Sequence, residues 1–290
     1  MSQTIGDVLR EAQRCLEQHK IPEPRAAAEV LLADLLAMPR LSLHVEAHHP
    51  LSVTQHDTYT ARIKRRLWRE PVQYITGTQE FWSLEFRLDP HVLIPRPETE
   101  LLVVHGVQLA TQWCGSSLQR PLYVLDVGTG SGNVAISLAH ALPHSRVWGI
   151  DIVPEALRVA QENARRLAVA ERVTWVCGDL VTPLRGQRFA LCVGNLPYIT
   201  TSEWVQLPPE IKDYEPPVAL CGGEDGLNLI RHLIAASPAV LAPRGTLLLE
   251  VGWQQAAAVV SLIRQQGPFR AVGIYRDFAG IDRAVWARMP

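Results

Sequence analysis

The segment LDVGTGSGN, residues 125–133, decides the fold class of this chain. An apolar run at 122–127 leads into three glycines at every second position, and Val134 to Leu142 continue with the apolar spacing of a helix. Glycines placed in this way let the backbone turn tightly and approach a ligand, and the start of a helix offers unpaired N–H groups. The segment therefore predicts a strand, a turn that binds a flat or anionic ligand, and a helix.

Strand-like apolar runs continue on the carboxyl side of this segment and alternate with helix-patterned stretches. Including the first, they are 122–127, 146–150, 173–177, 189–194, 245–251, 271–275 and 283–287. This alternation predicts an α/β domain around a mostly parallel sheet. In open sheets of this kind ligands bind beyond the carboxyl ends of the strands, so functional side chains are expected there.

The amino-terminal part of the chain has a different pattern. Apolar residues recur at spacings of three and four across residues 5–68, which predicts a bundle of four or five short helices, one of them capped by Ser52. The period-2 stretch at 80–88 predicts a β-hairpin. We therefore expect a helical domain at 1–76, a β-hairpin linker at 77–93 and the α/β domain at 94–290.

Composition narrows the class of protein. The chain has 290 residues, 47% of them hydrophobic, which suggests about two packed domains and excludes a disordered chain. Because no stretch approaches about 18 uninterrupted apolar residues, we expect no membrane span, and the first residues lack an export signal, so a cytoplasmic protein is expected. The five cysteines include no C-x-x-C pair and are interpreted as buried reduced thiols.

Acidic residues follow two further strands. Asp151 closes the second strand, where a carboxylate can accept both hydroxyls of a ribose, although it could instead cap the helix that begins near Pro154. Asp179 and Leu180 follow the third strand and could bracket an adenine. Asn133 stands where a dinucleotide fingerprint needs its third glycine, so an NAD site is disfavoured.

The fourth strand ends in Asn195-Leu196-Pro197-Tyr198. An amide, a rigid turn and an aromatic ring in this order can accept hydrogen bonds from a planar NH2 group and cover its face. The same four residues could also form an ordinary turn, since Asn and Pro are common turn formers. Their position after a strand of the predicted sheet favours the binding site.

Together these segments resemble a class I S-adenosylmethionine-dependent methyltransferase of the amino-methylating kind, whose signature is Asn/Asp-Pro-Pro-Tyr/Phe. Over residues 5–288 the chain is similar to the release-factor glutamine methyltransferases, the HemK or PrmC group. The matching stretches are 70–77, 80–82, Leu93-Ile94-Pro95-Arg96-Pro97-Glu98-Thr99-Glu100, the glycine segment, 214–216, 222–227 and 247–250. Leu196 departs from the signature, which has proline at this place.

The resemblance implies a Rossmann-like domain with a seven-stranded, mostly parallel sheet and an amino-terminal domain that recognises the substrate. It implies that S-adenosylmethionine lies over Gly128, Thr129, Gly130, Ser131 and Gly132, with its ribose on Asp151, its adenine near Asp179 and Leu180, and a further contact from Asn195. The implied substrate is the glutamine of the Gly-Gly-Gln motif in peptide chain release factors. Asn195 and the carbonyl of Leu196 would hold its side-chain amide, with Pro197 and Tyr198 as walls, and Asn195, Pro197 and Tyr198 form the implied catalytic set.

Two other functions fit parts of the pattern. An adenine-N6 or guanine-N2 nucleic-acid methyltransferase could use the same amide clamp, but residues 77–290 carry 18 basic and 20 acidic side chains, so direct nucleic-acid binding is not expected. A non-catalytic nucleotide-binding module would leave Asn195 to Tyr198 unexplained. The basic stretch 61–69 is typical of a solvated helix face and could alternatively dock an acidic protein or nucleic acid. We expect no metal at the histidines of 44–49, and we expect a monomer.

Overall fold

The structure is a computed structural model that describes residues 3–114 and 122–290. The chain divides into two compact units. Unit 1 contains the chain up to Thr78 together with Pro208–Tyr214. Unit 2 contains Gln79–Leu207 and Glu215–Pro290. Unit 1 is therefore discontinuous in sequence, because one short segment from the carboxyl-terminal half of the chain belongs to it.

Unit 1 is a bundle of short helices. They are α1 (Ile5–Gln18), α2 (Pro24–Leu36), α3 (Arg40–Val45), α4 (Val53–Leu67) and α5 (Val72–Thr76). Ser52 caps α4 as predicted, because its hydroxyl accepts from the Gln55 N–H and the Gln55 side chain accepts from the Ser52 N–H. Apolar residues from these helices, such as Leu16, Leu31 and Ile63, form one buried cluster.

The segment Pro208–Tyr214 contains the short helix α10 (Pro209–Lys212) and is held in unit 1 by polar contacts. Glu210 Oε1 lies 3.1 Å from a guanidinium nitrogen of Arg66 and 3.1 Å from one of Arg69. The Tyr214 hydroxyl donates to the carbonyl of Trp68 at 2.5 Å. These contacts engage two cations of the basic stretch inside unit 1, which weakens its interpretation as a free docking surface.

Unit 2 contains the seven predicted strands in one sheet. They are β3 (Leu122–Val127), β4 (Ser145–Asp151), β5 (Val173–Cys177), β6 (Phe189–Gly194), β9 (Leu241–Glu250), β10 (Ala271–Arg276) and β11 (Asp282–Arg288), in the order β10-β11-β9-β6-β3-β4-β5. β3, β4, β5, β6 and β9 run parallel, and β11 pairs antiparallel with β9 and β10. The prediction of a mostly parallel sheet is confirmed.

Helices cover both faces of this sheet. They are α6 (Glu100–Cys114), α7 (Asn133–Ala141), α8 (Pro154–Arg166), α11 (Asn228–Ala236) and α12 (Ala256–Gln266). Successive strand residues point to opposite faces, so Val124 joins a cluster with α6, α7 and α8, and Leu125 joins a cluster with α11 and α12. Both faces are buried, which explains why the parallel strands read as continuous apolar runs.

The remaining elements of the described chain are short. The hairpin strands β1 (Thr78–Phe81) and β2 (Leu84–Arg87) precede α6, and β7 (Ile199–Thr200) pairs with β8 (Cys221–Gly223), with α9 at Thr201–Trp204. The predicted hairpin is confirmed. The Glu100 carboxylate accepts from the Trp82 N–H at 2.8 Å, which ties the hairpin turn to the start of α6.

One expectation, that all the cysteines are buried, needs correction. Cys192 is buried, but Cys177 and Cys221 are exposed, because one ends β5 and the other begins the short strand β8, so the interpretation of all cysteines as buried is wrong. The side chain of Cys114 lies outside the described residues. α3 ends at Val45, so His44 and His48 do not share a helix. Within residues 3–114 and 122–290, no helix has the length and hydropathy needed to cross a membrane.

Candidate active site

A cavity lies in unit 2 beyond the carboxyl ends of the parallel strands. The strand order reverses between β3 and β6, and this switch point is where open α/β sheets bind their ligands. The lining residues include Gly128 and Gly130 after β3, Asp151 after β4, Asp179 and Leu180 after β5, Asn195, Leu196 and Pro197 after β6, and also His91, Val92, Leu93, Ile152 and Val218. The fold thus brings most of the predicted site residues to one cavity.

The glycine turn is open toward this cavity at Gly130. Its φ of +53° is a conformation that disfavours side chains, and no heavy atom lies within 4 Å of the place where a Cβ would stand. Gly128 has a φ of +72°, and a Cβ there would lie 3.1 Å from Cδ2 of Leu196. Gly130 therefore lets a ligand approach the backbone, and Gly128 lets Leu196 pack against the turn.

The other residues of the turn build it rather than line the cavity. The buried Thr129 hydroxyl donates to Oδ2 of Asp126 at 2.6 Å, and the same oxygen accepts from the Ala135 N–H at 3.1 Å. Burial raises the pKa of Asp126 to about 7, against these two hydrogen bonds. Ser131 is buried, and Gly132 precedes α7 with no room for a side chain between Ile136 and Trp175. The side chains of Thr129 and Ser131 thus stabilise the turn, and a contact between the donor and their backbone stays a prediction.

Asp151 connects the turn to the next strand. Its Oδ2 accepts from the Gly130 N–H at 2.9 Å, and its Oδ1 accepts from the Val153 N–H at 3.0 Å. Burial raises its pKa, although these backbone hydrogen bonds oppose the rise. The N-cap of α8 is Val153, so Asp151 is not the capping residue of that helix. Since each carboxylate oxygen can accept more than one hydrogen bond, Asp151 can also receive ligand hydroxyls.

Asp179 and Leu180 lie in the wall of the cavity, as predicted from their place after β5. Leu180 has a φ of +48°, and the Gly178 N–H donates to the Asp151 carbonyl at 2.9 Å. This hydrogen bond joins the ends of β4 and β5, so Asp151 and the 178–180 turn form one continuous surface.

Asn195 lies at the end of β6, between the glycine turn and Pro197. Its Nδ2 donates to the hydroxyl of Thr99 at 3.1 Å. Among the described residues, no hydrogen bond to its Oδ1 is found, so the amide oxygen is the group that remains for a ligand. Leu196 and Pro197 also line the cavity.

Tyr198 lies behind this surface and is not part of the cavity wall. Its hydroxyl donates to Oε1 of Glu250 at 3.3 Å, and its carbonyl accepts from Nε2 of Gln255 at 2.9 Å. Burial and the neighbouring Glu250 raise the pKa of Tyr198, so the ring stays neutral. Tyr198 therefore supports the turn at 195–198 from behind.

The Ile94 to Thr99 segment is fastened beside this turn. Glu215 is buried, accepts from the Ile94 N–H at 3.1 Å and pairs with the guanidinium of Arg96. Thr99 is buried and reaches Asn195 through the hydrogen bond given above. The contacts of Glu215 therefore hold this segment so that the Thr99 hydroxyl lies next to the Asn195 amide.

Sequence reasoning missed several site residues. The cavity wall from His91 to Leu93 lies within the predicted linker, where no local pattern indicated a binding role. Thr99 and Glu250 stand inside stretches that carry the family resemblance, but their positions next to Asn195 and Tyr198 follow only from the fold. The exposed side of the cavity at Val218 comes from a short 3-10 helix, Pro217–Ala219, which sequence reasoning left unassigned.

Comparison with known proteins gives two matching family profiles. The profile described as "PrmC N-terminal domain" matches residues 7–77, and the profile described as "Methyltransferase domain" matches residues 124–214. The first covers most of unit 1, and the second covers the strands that carry Gly130, Asp151 and Asn195.

Curated relatives match the chain along almost its whole length. A protein of Moorella thermoacetica named release factor glutamine methyltransferase is 42% identical over 284 residues, 98% of this chain and 98% of the relative. A protein of Geobacter sulfurreducens with the same name is 40% identical over 286 residues, 99% of this chain and 97% of the relative.

A solved structure described as human methyltransferase 10 domain containing protein shares the fold. Its TM-score is 0.52 at 16% identity, covering 82% of this chain and 98% of that chain. At this identity the likeness concerns the fold alone.

Proposed function

The chain belongs to the release factor glutamine methyltransferase family, and on this premise we propose that it methylates the side-chain amide nitrogen of a glutamine in peptide chain release factors, with S-adenosylmethionine as the methyl donor. The glutamine is that of the Gly-Gly-Gln motif. The observation that carries the proposal within the structure is the orientation of Asn195, whose amide nitrogen is engaged by Thr99 while its oxygen is left for a ligand.

The cavity has the features that S-adenosylmethionine requires. Gly130 leaves open a space that a Cβ would fill, Asp151 offers carboxylate oxygens to ribose hydroxyls, and Asp179 with Leu180 provides an acceptor beside an apolar surface for an adenine. Gly130 thus gives the ligand access to the backbone, and Gly128 lines the cavity and makes room for Leu196. Thr129, Ser131 and Gly132 shape the turn. When bound, S-adenosylmethionine supplies an electrophilic methyl group on a sulfonium, and S-adenosylhomocysteine is the thioether that remains after transfer.

Asn195 addresses the chemical difficulty of the reaction. An amide nitrogen is a poor nucleophile because its lone pair is delocalised into the carbonyl. Oδ1 of Asn195 and the carbonyl of Leu196 can accept the two N–H groups of the target amide and turn the nitrogen lone pair toward the methyl donor. Holding the reactants in line then lowers the barrier by several kcal/mol, on the order of measured orientation effects. After transfer, the nitrogen loses one proton to solvent.

The neighbours of Asn195 keep this geometry. Pro197 fixes the backbone after Leu196 and lines the cavity, where it can contact the target side chain. Tyr198 contributes from behind, through its hydrogen bonds to Glu250 and Gln255. We therefore assign substrate contact to Asn195, Leu196 and Pro197, and a supporting role to Tyr198. A nucleic-acid target is not favoured, because curated relatives over the full length are named for glutamine in release factors.

Unit 1 is assigned to recognition of the release factor. Unit 2 contains every cavity residue named above, so unit 1 is not needed for the chemistry. Unit 1 also exposes several large apolar side chains, namely Leu41, Val45, Val53 and Trp68, which are suited to contact with another protein. The enzyme would act as a monomer in the cytoplasm, where release factors work.

Mass spectrometry of intact release factor, incubated with the enzyme and methyl-labelled donor, tests the function. The label should fall on the glutamine of Gly-Gly-Gln. Asn195→Ala should lower the single-turnover rate by roughly 100-fold, typical of losing one preorganised polar group, with a smaller effect on substrate affinity. Asn195→Asp is the matched variant, and it should retain more activity because its carboxylate can still accept. Label found on nucleic acid and never on glutamine, or full activity of Asn195→Ala, contradicts the proposal.

A further inference from the structure

Glu250 is a buried acid whose presence the reaction described above does not explain. It ends β9, is 4% exposed, and does not line the cavity. Its Oε1 accepts from the Tyr198 hydroxyl, while its Oε2 is buried and, within the described residues, accepts no hydrogen bond of good geometry. A buried carboxylate oxygen without a partner costs stability, so packing alone gives no reason for an acid here.

A chain of polar groups connects Glu250 to the cavity. Burial raises the pKa of Glu250 to about 7, and the nearby hydroxyls of Thr99 and Tyr198 oppose this rise. Of these two hydroxyls, only that of Tyr198 makes a hydrogen bond of good geometry to the carboxylate. On its other side, Thr99 Oγ accepts from Nδ2 of Asn195 at 3.1 Å. Thr99 therefore lies between Glu250 and Asn195, and because its oxygen accepts from Asn195, rotation of its hydroxyl can direct the proton at the carboxylate.

The charge of Glu250 sets the direction of every hydrogen bond in this chain. An ionised carboxylate only accepts, so the single protons of Thr99 and Tyr198 must both point toward it. Thr99 then has only lone pairs to offer Asn195, which turns its NH2 group toward Thr99 and its oxygen toward the cavity. A protonated Glu250 can donate instead, so Thr99 can direct its proton at Asn195, and the amide can then turn its NH2 group into the cavity.

We propose that Glu250 is a positioning residue that acts through Thr99 to hold the Asn195 amide with its oxygen facing the target. This inference rests on the proposed function. Only this orientation accepts an N–H of the glutamine, because the opposite one places two donors against each other. Glu250 touches neither substrate nor donor in this scheme. It determines whether the cavity presents an acceptor or a donor to the target.

Other charged groups surround Glu250 and enter its titration. Arg283, on the neighbouring strand β11, lowers its pKa, and Glu98 raises it. Tyr198 stays neutral because its own pKa is raised. Asp126, in the glycine turn, also has a pKa of about 7, so its titration must be separated from that of Glu250. Saturating donor serves this purpose, since a change at the glycine turn acts first on donor affinity.

Single-turnover methylation of intact release factor at saturating donor provides the test in full-length variants. Thr99→Val keeps the shape of the side chain and removes the hydroxyl, so the rate should fall at least about tenfold while the dissociation constant of S-adenosylmethionine changes less than about twofold. Thr99→Ser keeps the hydroxyl and should stay within about threefold of the parent. A Thr99→Val variant that methylates as fast as the parent overturns the proposal.

The pH profile distinguishes positioning from a merely structural role. The parent rate should be about tenfold lower at pH 6 than at pH 8, since a carboxyl with a pKa of about 7 is then mostly protonated. Glu250→Gln cannot ionise, so its rate should be low and nearly independent of pH over this range. If Glu250→Gln keeps the pH profile of the parent, the titrating group lies elsewhere and the proposal is wrong.

A readout without substrate separates this proposal from the proposed function. In the parent, the NMR signals of the Asn195 side-chain NH2 group should shift with a midpoint near pH 7, and in Glu250→Gln this shift should be absent. A parent that shows this shift but labels no glutamine refutes the proposed function and supports the hydrogen-bond chain. Signals that do not move in the parent, or that move equally in Glu250→Gln, overturn the chain itself.

Discussion

Raising the pH should destabilise unit 2, and Glu250→Gln should remove a defined part of this loss. Burial raises the pKa of Glu250 from 4.5 to about 7, which means that the folded state disfavours the ionised form. The stability associated with the protonated carboxyl is fully present below pH 4.5 and is lost as the pH rises toward 7. At about 1.4 kcal/mol for each pH unit between the two values, the total loss is about 3 kcal/mol.

Most of this loss falls between pH 5 and pH 8, where we expect about 2 to 3 kcal/mol from Glu250. Asp126 adds a loss of the same sign, because burial raises its pKa from 3.8 to about 7. Glu250→Gln cannot ionise, so its free energy of unfolding should fall by about 2 to 3 kcal/mol less than that of the parent over this interval. The comparison uses the change within each variant, so the packing effect of the substitution cancels.

Urea-dependent hydrogen exchange at the amides of the central strands β3 and β9 measures this quantity for unit 2 by itself. Glu224→Gln is the control, since Glu224 is an exposed glutamate of the same unit, and it should follow the parent at both pH values. Equal losses in the parent and Glu250→Gln would refute the reasoning, because they would mean that Glu250 ionises as easily in the folded as in the unfolded state.

Three further substitutions test the site and the fold. Asp151→Ala should weaken the binding of S-adenosylmethionine by roughly 1.5 to 3 kcal/mol in calorimetry, the scale of hydrogen bonds to a charged group, and an unchanged affinity in a folded variant removes Asp151 from the site. Leu196→Pro should leave the methylation rate equal or higher, but lower the melting temperature, because Leu196 is buried against Gly128 and proline fills less of that space. Glu210→Gln should destabilise unit 1 by about 3 kcal/mol in urea unfolding, because the buried Arg66 loses its charged partner; a shift below about 1 kcal/mol contradicts the assigned contact.

The sheet could be predicted from the sequence because its information is local. Each strand is a short apolar run. Three glycines at every second position between an apolar strand and a helix are typical of a ligand-binding turn. The same local reading found Asp151 and Asn195, since both directly follow strands whose carboxyl ends share one edge of the sheet.

Long-range partners could not be predicted in this way. Thr99 lies 96 positions from Asn195, and Glu250 lies 52 positions from Tyr198, so no spacing rule connects them. Within the glycine turn, local sequence also leaves the direction of individual side chains undetermined. The resemblance implies that the donor lies over Thr129 and Ser131, but a local pattern cannot tell which side chains of a turn face inward, and the structure buries both. A contact between the donor and the backbone at these two residues stays a prediction.

The return of Pro208–Tyr214 to unit 1 has a consequence for how this enzyme can be taken apart. A protease that cuts once after Thr78 releases the five amino-terminal helices without α10, and therefore without the carboxylate of Glu210 that Arg66 and Arg69 share. A gene from which the codons up to Thr78 are removed still encodes α10, but it lacks Arg66 and Arg69, the partners of Glu210. Unit 1 therefore cannot be separated by one cut in the chain. If the enzyme were divided after Thr78, unit 1 would be complete only when the carboxyl-terminal fragment bound to the amino-terminal one and supplied residues 208–214.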